Sequence, residues 1–410
     1  MIQNGGDVLN KGSTIKYALR ETDFILYIAC VLTSLFGALM VHSATRNDAI
    51  ANGELIGREC LIMIVAAGAG FLACLFISYL DYDAMVGLWP LAGGVCLILL
   101  LLLFPFGDGP SDRPDARCWL PIIQTESLVV NFQPSELAKI GFLITFTAHI
   151  EAVKNNINSI KNIILLTMHA LVPIAIIILT DDLGSATVFA FIFIGMMFVA
   201  GVHIRYFAVA IGAILAFVPL VWTKFLATFH KRRILAVYYP SALDEDVYEK
   251  IIYQQQRGLN AIGSGGLLGD GLFKGTYTQS ATGVPVNESD MVFTVVGEEF
   301  GFVGAIVFLA VMVLIIARIV WVGKKSRNLS GSLLCFGTAF MIGAQTIINI
   351  GMCLKLLPSI GITLPFMSAG GSSNLCVYFA IGIVMSVYRF NCNREPINFR
   401  IVNISTPFSE

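Results

Sequence analysis

Charge is scarce in this chain. Of its 410 residues, 13% are Asp, Glu, Lys or Arg, about half the share of a soluble domain. With 56% hydrophobic residues beside that, the chain reads as a membrane protein. A transmembrane barrel shows only short alternating segments. The apolar runs here are continuous, so the class is helical. Net charge is −1, which excludes the broad basic surface of a nucleic-acid binder. Histidine is limited to five residues with no His-x-x-x-His pair, which argues against a His-ligated metal site. No Cys-x-x-Cys occurs, and Cys30, Cys74, Cys96, Cys335, Cys353 and Cys376 lie in apolar runs. Such thiols act as small hydrophobes rather than as a disulfide framework. Internal repeats and low-complexity linkers are also lacking.

What is present is a series of apolar runs, each near the roughly 20 residues a span needs. They fall near 23–43, 58–78, 85–106, 134–150, 161–179, 183–201, 204–222, 300–321, 332–354 and 364–388. The fold class is therefore an all-α polytopic membrane protein with about ten transmembrane helices. Asp181 and Asp182 in "TDDLGS" divide the fifth run from the sixth, because each carboxylate at mid-bilayer would cost about 2.5–3.5 kcal/mol or more. Lys11, Lys16 and Arg20 precede the first span. Lys154, Lys161, Arg205, Lys324, Lys325, Arg327, Arg389, Arg394 and Arg400 then fall on the same side of a ten-span chain. That bias makes this side, and both termini, cytoplasmic. The first run is too long and too far from Met1 for a cleaved signal peptide. The expected organisation is a cytoplasmic segment 1–22, one membrane domain 23–390 and a cytoplasmic tail 391–410. A large extracytoplasmic loop, 223–299, lies between spans seven and eight.

In that loop, "VYEKIIYQQQRGLNAI" brings Tyr248, Ile251, Ile252, Gln255, Leu259 and Ile262 near one helical face, the pattern of a helix in the membrane interface. The glycine-rich "GSGGLLGDGLFKG" follows. It lacks the Gly-Lys-Ser/Thr of a nucleotide loop.

Polar residues entering apolar runs have two readings each. Glu136 and Lys139, an i, i+3 pair after Pro134 and Ser135, suit an internal salt bridge or a cation held for an anionic headgroup. Asp182 suits a helix cap or a site. Gly370, Gly371, Ser372 and Ser373 at the edge of the last span suit tight helix packing or a site. Asp290 either caps a helix starting near Met291 or is chemical. Glu298 and Glu299 are then membrane-edge carboxylates.

Six motifs, in order, resemble those of the SEDS family (shape, elongation, division and sporulation), which includes RodA and FtsW. They are "FQPSELAK", "DLGSA", "RRIL", "AIGSGGLLGDGL", "SDMVFTVVGEEFGFVG" and "LPFMSAGGSSNL". The resemblance covers nearly the whole chain, and "GTYTQ" is closer to RodA than to FtsW. It implies a peptidoglycan glycosyltransferase for cell-wall elongation and cell shape. Such an enzyme polymerises lipid II into a nascent glycan strand at the outer face of the bacterial cytoplasmic membrane. The implied partners are a class B penicillin-binding protein transpeptidase and a cell-wall elongation or division complex, with no nucleic acid.

The family's catalytic aspartate falls on Asp290. Its Pro-Glu-x-His-Thr-Asp-Phe setting is altered here: Glu288 stands at the His, Ser289 at the Thr and Met291 at the Phe. Cys118 follows Arg117 where a second Arg is usual. Asp182 matches the family's Asp-Leu-Gly, whereas Asp181 is an addition. On this reading Asp290 is a general base. Arg117, Lys139 and Arg233 receive the pyrophosphate, and Glu136 orients Lys139. Asp182, Glu298, Glu299, Ser372 and Ser373 support the site. No cofactor is demanded, and a divalent cation, Mg²⁺ or Mn²⁺, is compatible with the chemistry. The competing classes are a lipid II flippase, for which paired broken helices in repeats are wanting, and a non-catalytic activator of a penicillin-binding protein.

Overall fold

The computed structural model describes residues 22–109, 116–124, 129–280 and 283–391. The expected N-terminal segment and C-terminal tail lie almost wholly outside them.

The described chain is built from helices. α1 (Phe24–Ala51), α2 (Arg58–Ile77), short α3 (Tyr82–Gly87) and α4 (Trp89–Phe106) come first. An antiparallel hairpin, β1 (Leu120–Gln124) and β2 (Val129–Phe132), leads into α5 (Pro134–Val153). Then follow α6 (Ile160–Leu179), α7 (Leu183–Val199), α8 (Ile204–Leu220), α9 (Thr228–Tyr238) and α10 (Glu245–Ser264). The last three are α11 (Val292–Lys324), α12 (Leu329–Cys353) and α13 (Gly371–Asn391). Among the described residues, eight helices are long and apolar enough to cross a membrane: α1, α2, α4, α6, α8 with its continuation to Lys224, α11, α12 and α13. α7 is apolar but 17 residues long, and α5 carries Glu136, Lys139 and Glu151. With these two, each of the ten predicted runs corresponds to a helix.

α13 packs on α2, α12 lies between α11 and α7, and α4 lies against α5. Polar ties join the helices. Ser34 Oγ of α1 and Tyr378 OH of α13 lie 2.8 Å apart in the core. Arg318 of α11 donates twice to Asp23 Oδ2, at 3.1 and 2.7 Å, at the start of α1.

α11 starts at Val292, beside the helix start expected near Met291, and the apolar run near 300–321 is its later part. Glu298 and Glu299, read from the sequence as membrane-edge carboxylates, are buried within the helix. The helix continues past them because the neighbouring loop supplies donors for their carboxylates. The last helix starts at Gly371 rather than near 364. Before it the chain turns at Phe366 (φ 65°), and Ser368 Oγ accepts from Leu364 N at 2.8 Å. The helix expected in the 223–299 loop forms as α10, which lies against α11. Ile252, Gln255, Gly258 and Ala261 are its buried positions. Gln255 Nε2 donates to Met352 O at 2.9 Å and Leu357 O at 2.7 Å. Of the six residues expected on one face, Ile252 and Gln255 are buried.

Candidate active site

Asp290 lies one residue before the N-cap of α11. The cap is Met291, with no side-chain capping bond, so the carboxylate is not the cap. The surrounding backbone is fixed carbonyl by carbonyl. Ala369 N donates to Glu288 O at 2.8 Å, and Ser368 Oγ donates to Ser289 O at 2.7 Å. Asn349 Nδ2 donates to Asp290 O at 2.8 Å and also to Ile362 O at 2.7 Å. Ser289 Oγ donates to Asp290 Oδ1 at 3.1 Å. This short turn is therefore clamped onto α12 and the segment before α13, with Asp290 itself partly exposed. Burial pushes the Glu288 carboxyl above its ordinary range, and the charges of Glu59, Asp290 and Asp48 push the same way.

A second cluster gathers at the start of α5. Lys139 Nζ donates to Glu136 Oε1 at 2.7 Å, and both side chains are buried. The pair lines a cavity with Gln133, Ser185, Gln345, Ile362 and Thr363. Pro134 at the first helical turn allows a polar entry without a lost amide bond. Asp182 caps α7 by accepting from Ser185 N at 2.9 Å. Its second oxygen accepts from Gln133 Nε2 at 2.9 Å and Ser135 Oγ at 3.0 Å. The cap thus also links α7 to the start of α5. Ser372 Oγ accepts from Gln133 N at 3.1 Å, and Ser373 Oγ lies 2.8 Å from Thr363 Oγ1. Glu136, Lys139, Asp182, Ser372 and Ser373 thus belong to one connected group.

The arginines are placed differently. Arg233 donates to Ser359 O at 2.6 Å and lies 4.2 Å from the Phe229 ring centroid. Its helix, α9, is tied to the α7 entry by His230 Nε2, which lies 2.6 Å from Asp181 Oδ1. Arg117 is exposed, with its guanidinium on Phe104 O. Its backbone N donates to Thr180 O at 3.0 Å, two residues before Asp182.

Glu298 and Glu299 face another way. Glu298 accepts from Tyr277 N at 2.6 Å, Thr278 N at 2.8 Å and Thr278 Oγ1 at 2.6 Å. Glu299 accepts from Ser43 Oγ of α1 at 2.5 Å. These carboxylates hold the glycine-rich loop and α1. Among the described residues, no three His, Cys, Asp or Glu side chains come together to hold a metal.

Sequence reasoning passed over Gln345 and Asn349. Both are polar residues in an apolar run, and their i, i+4 spacing places them on one helix face. That was the available signal.

Comparison with known proteins adds to this geometry. The family model described as "Cell cycle protein", of FtsW, RodA and SpoVE, matches residues 23–393. A protein of Geobacter metallireducens named probable peptidoglycan glycosyltransferase FtsW is 30% identical over 374 residues, covering 90% of this chain and 95% of its own. Peptidoglycan glycosyltransferase MrdB of Escherichia coli K12 is 27% identical, covering 91% and 94%. A solved chain from a peptidoglycan synthase complex that coordinates polymerisation and crosslinking superposes with a TM-score of 0.73. It is 27% identical and covers 90% of this chain and 98% of its own.

Proposed function

The chain belongs to the cell cycle protein family of FtsW, RodA and SpoVE, and on that premise we propose that it is a peptidoglycan glycosyltransferase that polymerises lipid II for wall elongation. The names of its relatives support the activity, and the RodA-like "GTYTQ" supports elongation. The chemistry is displacement at an anomeric carbon. The acceptor sugar's hydroxyl oxygen attacks that carbon, the bond from carbon to the lipid pyrophosphate breaks, and the pyrophosphate leaves with the electron pair. Pyrophosphate needs little protonation to leave, so the protein must chiefly remove the hydroxyl proton and offset phosphate charge.

Asp290 takes the proton. The observation that carries this assignment is the clamped turn, in which three successive carbonyls are hydrogen-bonded while the Asp290 side chain stays partly exposed. A base held in this way needs little reorganisation to react. Arg117 and Arg233 offer guanidinium forks to the pyrophosphate. Lys139 is paired with Glu136, and this pair, with Asp182, Ser372 and Ser373, supports the site while the arginines meet the phosphates. Glu298 and Glu299 keep the loop seated. Mg²⁺ or Mn²⁺ would enter with the pyrophosphate.

The protein is a multi-pass membrane protein. Its place is the bacterial cytoplasmic membrane, with both termini inside, the segment between α8 and α11 outside, and residues 23–390 as one domain. The Lys/Arg bias supports that orientation. A class B penicillin-binding protein is the proposed partner, in line with the synthase complex that this chain resembles. Purified protein supplied with lipid II should form glycan strands, and the same protein in proteoliposomes should not move lipid II between leaflets. Flipping without polymerisation would make it a transporter, and activity seen only as stimulation of the partner would make it a scaffold.

A further inference from the structure

Gln345 of α12 is 1% exposed, and neither its side-chain nitrogen nor its oxygen has a hydrogen-bond partner in the protein. It lines the cavity that also holds Glu136, Lys139, Gln133, Ser185 and Thr363. A buried carboxamide left unpaired on both atoms is destabilising. Its position is not incidental to the site, since Asn349, four residues on, holds the carbonyl of Asp290.

The chemistry around Gln345 restricts what can bind. Lys139 is already neutralised by Glu136 at 2.7 Å. Both oxygens of nearby Asp182 are occupied by Ser185, Gln133 and Ser135. The pocket therefore has no excess positive charge for a phosphate. It offers a donor and an acceptor on one planar group, the complement of an amide or a hydroxyl.

We propose that Gln345 is a further substrate-binding residue, reading a hydroxyl of the lipid-linked sugar, a group small enough for a cavity of about 10 Å³, rather than its pyrophosphate. This rests on the glycosyltransferase reading given above. The site then separates two tasks: the arginines meet the phosphates, and Gln345 checks the sugar.

The test uses full-length protein in nanodiscs with three readouts: thermal melting, KM for lipid II, and inhibition by undecaprenyl pyrophosphate, which lacks the sugar. Gln345→Met removes the unpaired amide at similar volume. It should raise the melting temperature and raise KM about tenfold, the loss of one hydrogen bond, with inhibition by undecaprenyl pyrophosphate unchanged. Gln345→Asn keeps the amide and should recover part of the KM. Weakening of both ligands in parallel would show that the residue reads pyrophosphate and would overturn the proposal. A lower melting temperature with KM unchanged would make Gln345 structural and overturn it equally. Binding of lipid II to an Asp290→Asn background separates this question from catalysis, because wild-type protein that binds but never polymerises would sink the enzymatic reading alone.

Discussion

Asp290 and Glu298 are two carboxylates eight residues apart at the start of one helix, and they are built in opposite ways. Around Asp290 the main chain is tied down and the side chain is partly exposed. At Glu298 the side chain itself is tied down, receiving two amides and a hydroxyl while 0% exposed. A carboxylate whose oxygens are filled by its own fold is architecture. One carried on a rigid turn at a partly open position, where Ser289 Oγ donates to one oxygen, suits the role of base proposed for it. Glu136 lies between these extremes, buried like Glu298 but paired with a cation.

The contrast is most sharply tested by Asp290→Asn. Polymerisation from lipid II should fall about 10²–10⁴-fold with the melting temperature nearly unchanged, since the residue is not the N-cap of α11. Near-normal glycan synthesis by the folded variant would erase the distinction.

For Glu136 and Lys139, removing either partner should cost about 3–5 kcal/mol. Glu136→Gln with Lys139→Met together should cost much less than the two single changes added. Additive losses in a double-mutant cycle of melting would show that the two do not act as a pair.

Glu298→Gln should behave inversely to Asp290→Asn. It should lose about 2–3 kcal/mol of stability, because an amide nitrogen then faces the amide donors of the loop, while the activity of the folded fraction is largely kept. A loss of activity exceeding the loss of fold would move Glu298 into the chemistry.

The smallest effect concerns Glu288. Its carboxyl is pushed up by burial, then by Glu59, Asp290 and Asp48. The folded state therefore binds this proton more tightly than the unfolded chain. The resulting stability is fully present below the ordinary glutamate pKa and is lost as pH rises through the raised value. Glu288→Gln should give a small rise in melting temperature at pH 7 and none at pH 4. An equal rise at both would remove the linkage.

The topology probe bears on the same turn from outside. A cysteine at exposed Thr276, in a thiol-free variant, should react with an impermeant maleimide in cells whose outer barrier is opened. Labelling only after lysis would reverse the orientation.

The long apolar runs were legible in the sequence because hydropathy over about 20 residues is a strong signal. The pairing of Glu136 with Lys139 was legible from i, i+3 spacing. The burial of Glu298 and Glu299 was not. Two adjacent glutamates read as membrane-edge residues when the donors that bury them, Tyr277 and Thr278 for Glu298 and Ser43 for Glu299, lie far earlier in the chain and return only through the fold. Gln345 was signalled only by its i, i+4 spacing from Asn349, which tells neither its burial nor that its amide lacks partners in the protein. The clamp on Glu288, Ser289 and Asp290 was also invisible, because its acceptors are main-chain carbonyls, which no residue type announces.

α11 has a break at Gly301 (φ 65°, ψ −163°), a conformation open essentially to glycine alone. The loop fills that break. Asp270 N and Gly271 N donate to the carbonyls of Glu298 and Glu299, at 2.9 and 3.0 Å. Phe302 N and Val303 N donate to those of Gly266 and Leu267, at 2.9 and 3.1 Å. A Cβ on Gly301 would lie 2.4 Å from Gly269 N, and one on Gly269 would lie 2.2 Å from Glu299 O. For anyone building chimeras from related chains, these stretches are a single cassette. Residues 265–279 are to be exchanged together with 297–303, since amides of each stretch bond carbonyls of the other.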